Sequence, residues 1–406
     1  MGTPQTPYDA VLHAARDVAK LDNALDAEML GAALLGSVYS VAETERDAAV
    51  RDFVAGFLAA TSRRRSAAAT TIRAVFAALV PDAEGTDRVR PGAATPAWAG
   101  QLGRVHLTGC WSYGDVYGDQ TSYLATFAYD DPAGGSAHAV VTLLDHNIGI
   151  TKDVFVGGPP DRILDQVRQM CAGDELTWFR DEEPARMRAE VTRHLAITDG
   201  LTELPGEGSL ATDRALLGAR LALLPQTAGA APAPAEPLSA AERTDLVRRF
   251  LAAPEAARFG LDTIDGAELA SLHFCLSLLL DHAASFPDAD PMRWSPTVAG
   301  LFLLDWVHRR AVLDMDDAAL LPRVLRAWAG YAARKRGLPE QAAAQIDTAI
   351  EEMVPEFARL YSTGERRSPA TAAVAQLMAD GVDPDDPAAL DAWIEANRHR
   401  LTDDPA

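Results

Sequence analysis

The feature that most constrains the fold is a short β-rich island, Val105 to Gly157, inside a chain whose remaining pattern is helical. Apolar and aromatic residues alternate with smaller ones through much of this island, as in half-buried strands. Its third segment is almost continuously apolar up to Leu144, which predicts a central strand that is covered on both faces. We predict a four-stranded antiparallel meander. Its strands are Val105–Tyr113, Thr121–Asp130, Ala137–Asp145 and Ile150–Val156.

Helical periodicity dominates on both sides of the island. Residues 8–80 carry apolar side chains at three- and four-residue spacing, and further helices are predicted between residues 161 and 224. The predicted fold class is therefore α+β and predominantly helical. An N-terminal helical segment (1–98) packs on an α+β unit with a small four-stranded sheet (99–225), and an all-α C-terminal domain (238–406) follows.

The clearest linker is Gln226–Pro237, with the sequence QTAGAAPAPAEP. Alternating Ala and Pro form a semi-rigid, extended spacer. Immediately afterwards, Ser239 and Glu242 have the spacing of a capping box, which predicts the start of a helix. Ser295 and Ser368 each precede a proline, the expected order of an N-cap and a first helical residue. These signals place the C-terminal helical domain after the linker.

Charge and cysteine content narrow the classes of partner. The 406 residues carry a net charge of −21, which argues against nonspecific nucleic-acid binding and against docking on anionic lipid. The three cysteines are scattered and form no disulfide framework. The N-terminus lacks the pattern of a secretory signal, and the most apolar run, Ala267–Leu280, is interrupted by polar residues. We expect a cytoplasmic protein without a membrane partner.

Candidate reactive side chains gather in two turns of the island. In a meander, the turns after the first and third strands lie at the same edge of the sheet. Asp115 and Asp119 of the first turn could therefore share a pocket with Asp145 and His146 of the second. Carboxylates and an imidazole suit a divalent ion, for which Asp119, Asp145 and His146 are the predicted ligands. The same groups would suit a general acid/base pair. The competing hypothesis is that these residues only form the turns.

Three further residues complete the predicted ligand-binding set. Asp153 lies in the fourth segment and is less typical of a turn. Trp111 and Tyr117 belong to an aromatic group that also includes Tyr113, Tyr123, Phe127 and Tyr129. Aromatic rings beside polar turns favour a small-molecule pocket. Aromatic residues are also common in strands, so the alternative is a sheet that packs against helices.

Other catalytic and nucleotide-binding motifs are missing from the sequence. There is no GxxxxGK[ST], GxGxxG or GxSxG pattern. Pro159 and Pro160 remove backbone donors from the Gly157-Gly158 turn, so that turn is a poor phosphate loop. The cluster Arg63-Arg64-Arg65 joins two predicted helices and raises a helix-turn-helix hypothesis, which the net charge opposes.

These observations predict a non-catalytic binding or regulatory module that recognises a protein or a small ligand. The alternative is a metal-assisted hydrolase or lyase with its site at the Asp145-His146 edge of the sheet. A DNA-binding regulator ranks third. The sequence does not determine the oligomeric state, the ligand or the cofactor. A divalent metal is the one candidate cofactor.

Overall fold

The computed structural model describes residues 6–90, 94–205, 208–226, 235–382 and 386–402. It confirms the α+β, predominantly helical fold. The chain divides into two compact units, residues 1–233 and 234–406. Most of the predicted linker, residues 227–234, lies outside the described residues, so the predicted boundary stays a prediction.

The first unit contains seven helices among its described residues. All seven belong to the two helical stretches expected on either side of the sheet, and each begins within a few residues of the predicted position. The helices are α1 (Pro7–Ala14), α2 (Ala24–Val41), α3 (Arg46–Thr61), α4 (Ala67–Leu79), α5 (Pro160–Ala172), α6 (Pro184–Asp199) and α7 (Leu210–Leu221).

The sheet of the first unit has five antiparallel strands, so the predicted number of four was wrong. The strands are β1 (Val105–Asp115), β2 (Gln120–Tyr129), β3 (His138–Asp145), β4 (Ile150–Gly157) and β5 (Thr177–Asp181). They lie in the order β4-β3-β2-β1-β5. The meander of the first four strands agrees with the sequence pattern. The fifth strand follows α5 and returns to pair with the outer side of β1, where Trp111 is opposite Asp181.

The two faces of the sheet are covered unequally. Tyr123 and Phe127 of β2 enter the main core together with residues of the helices. On the other face, Leu124 packs with Val167 and Cys171 of α5 and with the partly buried Trp111. Because α5 covers only part of this second face, β3 is less buried than predicted. Its Val140 and Leu144 are buried, whereas Val141 and Leu143 are half-buried.

Helices α2 and α7 pack side by side and are fixed to the sheet by a buried polar network. A Cβ atom on Gly36 of α2 would lie 2.4 Å from the Ala211 carbonyl oxygen of α7, so this close approach requires glycine. Arg220 of α7 forms an ion pair with Glu28 of α2, and both side chains are fully buried. Tyr129 donates to Glu28 at 2.8 Å, and the Arg220 Nε donates to His138 at 3.1 Å. Removing one partner of such a pair would leave a buried charge uncompensated.

Helix α2 is long and apolar enough to cross a membrane by length and composition. Half of it is buried inside the protein. Its buried residues, including Leu35 and Tyr39, belong to the main core of the first unit. This packing accounts for the apolar composition of the helix.

The second unit is helical throughout its described residues. The capping box at Ser239 and Glu242 and the N-caps at Ser295 and Ser368 are confirmed. The helices are α8 (Ala240–Leu251), α9 (Pro254–Arg258), α10 (Gly266–Ala284), α11 (Pro296–Leu301), α12 (Val307–Arg310), α13 (Met315–Arg336), α14 (Glu340–Thr363), α15 (Pro369–Ala379) and α16 (Pro387–Thr402). A π-helical turn, Phe302–Trp306, joins α11 to α12. Four aromatic rings, those of Phe286, Trp294, Phe302 and Trp306, surround the buried His282.

Candidate functional site

The two polar turns of the island meet at one edge of the sheet. Gln120 at the start of β2 is directly opposite Asp145 at the end of β3. The His146 backbone N–H then donates to the Asp119 carbonyl oxygen at 2.9 Å. The four residues Asp115, Asp119, Asp145 and His146 therefore lie in two turns that touch, and we call this region the turn edge.

Two of the three carboxylates at the turn edge, those of Asp115 and Asp145, accept hydrogen bonds from the backbone. Asp115 accepts from the backbone N–H groups of Gly118, Asp119 and Gln120 at 2.7–3.0 Å. Asp145 accepts from the Asn147 N–H at 3.0 Å, and its second oxygen lies 3.8 Å from Lys152 Nζ. These are the local bonds by which aspartate stabilises a turn. They favour the turn-forming interpretation of both residues.

His146 contacts a second histidine that sequence analysis did not select. Its Nε2 lies 2.9 Å from the Thr121 hydroxyl, and its ring centroid lies 5.2 Å from that of His194 on α6. His194 is 1% exposed and its Nδ1 donates to the Glu190 carbonyl oxygen at 2.8 Å. Burial lowers the pKa of His194, so this imidazole stays neutral near pH 7. Nothing in the helical pattern of α6 singles His194 out.

The described residues contain no group of three or more His, Cys, Asp or Glu side chains that could hold a metal ion. The predicted ligand set of Asp119, Asp145 and His146 is thus not brought into coordinating positions. Asp145 is committed to a backbone N–H, and His146 is within hydrogen-bond distance of the Thr121 hydroxyl. The geometry gives no support to the predicted divalent metal.

The other three predicted ligand-binding residues have different surroundings. Asp153 accepts from the backbone N–H of Ser209 at 2.8 Å and so binds the start of α7. Trp111 packs toward α5, with the Arg168 guanidinium 5.9 Å from its ring. Tyr117 stays in the first turn and is 8% exposed; burial raises its pKa. Asp153 and Trp111 therefore contact α7 and α5 respectively, away from the turn edge.

A cavity of about 320 Å³ lies elsewhere in the first unit, between α2, α3, α4 and α7. We call it the helical cavity. Its walls are mostly apolar, with small residues of α7 on one side. The lining consists of Leu35, Gly36, Tyr39, Asp47, Val50, Leu79, Val80, Pro81, Asp82, Ala211, Arg214, Ala215, Gly218 and Ala222.

The local sequence of α7 explains the open space. Ala211, Ala215, Gly218 and Ala222 recur at intervals of three and four residues and so share one face of the helix. Gly36 lets α2 approach the start of α7 closely, so no large side chain lies between the two helices at that point. Leu35, Val50 and Leu79 then supply the apolar walls from the facing helices.

A polar cluster lies at one side of the helical cavity. Tyr39 donates to Asp199 at 2.6 Å, and Arg214 Nη2 donates to Asp199 at 2.8 Å and to Asp47 at 3.3 Å. Burial and the hydrogen bond to Asp199 raise the pKa of Tyr39 above its usual value, so the phenol stays protonated. Burial opposes the charge of Arg214, but Asp199 and Asp47 outweigh it and raise the arginine pKa.

One donor of this cluster has no acceptor among the residues that the structure describes. Arg214 Nε and Nη2 bond to the two carboxylates, whereas Nη1 makes no hydrogen bond to the residues that the structure describes. Nη1 lies beside Gly218, where an added Cβ would be 3.1 Å away. Arg51, paired with Asp47 and 3.9 Å from Asp82, completes the charged rim. The helical cavity therefore offers apolar walls and one oriented N–H donor.

Comparisons with protein-family models, curated proteins and solved structures give no match for this chain. The interpretation of both regions consequently rests on their own geometry.

Proposed function

We propose that this chain is a non-catalytic binding module that takes a small, largely apolar ligand into the helical cavity. The observation that carries the proposal is the combination of apolar walls with the uncommitted Arg214 Nη1. Concave, mostly apolar pockets of about 300–1,000 Å³ with a few convergent polar groups are the usual form of small-molecule sites.

The charges around the cavity favour a ligand whose polar end is neutral. Arg214 and Arg51 face Asp47 and Asp82 across the rim, and Asp199 lies behind Arg214. These carboxylates would repel an anionic ligand group, and the guanidinium groups would repel a cationic one. A carbonyl or amide oxygen can accept from Arg214 Nη1 without adding a charge to a partly buried site.

The composition of the lining supports binding rather than catalysis. The lining residues named above include no Ser, Thr, Cys, His or Lys. Three lining groups could transfer a proton: Tyr39 and Asp47 are tied to Asp199 and to Arg214 respectively, and Asp82 lies 3.9 Å from Arg51. A nucleophile with an adjacent base, the arrangement that covalent catalysis requires, does not line this cavity.

The test uses the neutral fluorophore Prodan, which has an apolar body and one carbonyl acceptor. We expect it to bind with an emission shift, and Ala215→Phe should weaken binding at least about tenfold, or about 1.4 kcal/mol, by filling the cavity. Thr192→Phe, at an exposed position of α6, is the control. Circular dichroism of both variants verifies folding. Equal Prodan affinity in Ala215→Phe and the unsubstituted protein would rule out this cavity as the binding site.

A further inference from the structure

The first unit has a second cavity with the opposite chemistry. It is a groove of about 710 Å³ formed by α3, the start of α4 and the segment that follows α4. We call it the arginine groove. It shares no lining residue with the helical cavity. Its lining is Ala55, Gly56, Leu58, Ala59, Ser62, Arg65, Thr70, Arg73, Glu84, Gly85, Arg88, Val89 and Arg90.

The arginines of this groove form no ion pairs with carboxylates of the described residues. Arg65, Arg73, Arg88 and Arg90 line it, and none of them has a carboxylate within ion-pair distance in the described part of the chain. Glu84 also lines the groove but forms no ion pair there. In a chain with a net charge of −21, four arginines that converge without carboxylate partners are unexpected.

Two of the arginines are held in place by backbone carbonyls. Arg73 Nη1 donates to the carbonyl oxygens of Thr61 and Arg64 at 2.5 and 3.2 Å. Arg90 Nη1 donates to those of Asp87 and Val89 at 2.5 and 2.8 Å. These bonds orient the guanidinium groups and leave their remaining N–H donors available. Burial and the charge of Arg65 lower the pKa of Arg73, as expected for crowded cations without a counterion.

We propose that the arginine groove binds a phosphorylated small molecule that carries at least two phosphate groups. Planar guanidinium groups match phosphate oxygens in bidentate pairs, and four of them supply enough donors and charge for two phosphate groups. The apolar α3 residues Ala55, Leu58 and Ala59 form a floor for the non-phosphate part of the ligand. The charges converge on a concavity rather than along an exposed helix, which favours a small ligand over a duplex.

Calorimetric titration of the full chain with inorganic pyrophosphate tests the proposal. We expect saturable binding that weakens as the salt concentration rises, with orthophosphate and sulfate binding more weakly. Arg65→Gln and Arg88→Gln, both at exposed positions, should each reduce the pyrophosphate affinity about tenfold. Glu84→Gln should increase it, because it removes the one carboxylate of the lining.

Matched controls separate a built site from a general charge effect. Arg162→Gln and Asp161→Asn make the same charge changes at exposed positions of α5 and should leave the affinity unchanged. The absence of binding heat, or equal losses in Arg162→Gln and Arg65→Gln, would overturn the proposal. A second outcome would also overturn the proposal: a DNA duplex binds, Arg65→Gln abolishes that binding, and pyrophosphate does not displace the duplex. The groove would then be a nucleic-acid surface. Prodan binding is measured in parallel. Absence of Prodan binding would contradict the proposed function of the helical cavity but not the proposed binding of pyrophosphate in the arginine groove.

Discussion

The turn edge and the helical cavity show two different ways in which polar residues come together. At the turn edge, the aspartates bond within their own turns, and the Asp115 carboxylate accepts from three backbone N–H groups of the first turn. In the helical cavity, Tyr39, Asp199 and Arg214 come from three helices and bond to one another. The first arrangement stabilises the backbone, whereas the second places charged groups beside an open space.

This difference matters for inferring function from sequence. Asp residues in turns have a local backbone explanation before any ligand is considered. A side-chain network between distant helices has no such local cause, because the chain must order several rotamers and desolvate charges to form it. The helical cavity is therefore the stronger candidate site, although the turn edge is the more conspicuous cluster in the sequence.

The largest effect that can test this comparison is expected in the strand that carries the turn edge. Leu144 is fully buried in the main core, and Leu143 is half-buried on the other face of β3. We expect Leu144→Ala to reduce the free energy of unfolding by about 2–5 kcal/mol, through lost burial and a residual cavity. Leu143→Ala, the matched variant, should cost clearly less. Denaturant unfolding measures both, and equal losses would mean that both faces of β3 are equally packed.

The second prediction addresses the role of Asp115 directly. Asp115→Ala leaves three backbone N–H groups without their acceptor, and we expect a loss of about 2–3 kcal/mol in unfolding free energy. Asp131→Ala removes one such bond, to the Ala133 N–H, and should cost about 1 kcal/mol or less. Prodan binding should be unchanged in both. If Asp115→Ala left stability intact and abolished ligand binding, the turn edge would be the site.

The contact between the two turns follows from the sequence, because a regular meander places alternate turns at the same edge. The hydrophobic alternation and the turns set the register of the strands, and Gln120 opposite Asp145 is part of that register. The fifth strand does not follow in this way. Thr177–Asp181 has only five residues and lies outside the island. It follows α5 in the sequence and pairs directly with β1. Its assignment depends on tertiary pairing rather than on local pattern.

The helical cavity could not be predicted for a related reason. The small residues Ala211, Ala215 and Gly218 are visible in the sequence, but small residues on a helix face usually permit close packing. Here Gly36 of α2 packs closely against Ala211, whereas Ala215 and Gly218 line the helical cavity. Whether such a face is packed or open depends on the register of two helices whose sequences are far apart. Asp199 and Arg214, on successive helices, likewise give no sign of pairing.

A third, smaller effect tests the polar cluster of the helical cavity. Tyr39→Phe removes the hydroxyl that donates to Asp199 but keeps the aromatic wall. Asp199 still accepts from Arg214, so we expect a loss of about 1 kcal/mol in unfolding free energy. Prodan affinity should change less than about twofold, or about 0.4 kcal/mol, because the hydroxyl is bonded to Asp199 and not to the ligand. A large loss of affinity with unchanged stability would instead make Tyr39 a direct ligand contact.

The smallest expected effect concerns pH. The free energy of unfolding should depend on pH through His194 beside the turn edge, whereas ligand binding in the helical cavity should not. The folded-state pKa of His194 is lowered from its ordinary value of 6.5, chiefly by burial, so the native protein keeps this imidazole neutral. Below pH 6.5 the unfolded chain binds a proton that the folded chain does not, and stability is lost as the pH falls toward the folded-state pKa. Burial of His138, whose pKa falls to about 4, contributes in the same direction.

His194→Asn should make the dependence of unfolding free energy on pH flatter between about pH 7 and 5, because the titrating group is removed. The asparagine amide can still donate to the Glu190 carbonyl oxygen, as the His194 Nδ1 does. His13→Asn, at an exposed position of α1, is the control. Prodan affinity should stay constant over the same range, because Tyr39 remains protonated and Arg214 remains charged. If Prodan affinity instead changed with the protonation of His194, ligand binding would be coupled to the turn edge through the contact between His194 and His146. The two regions would then not be functionally separate.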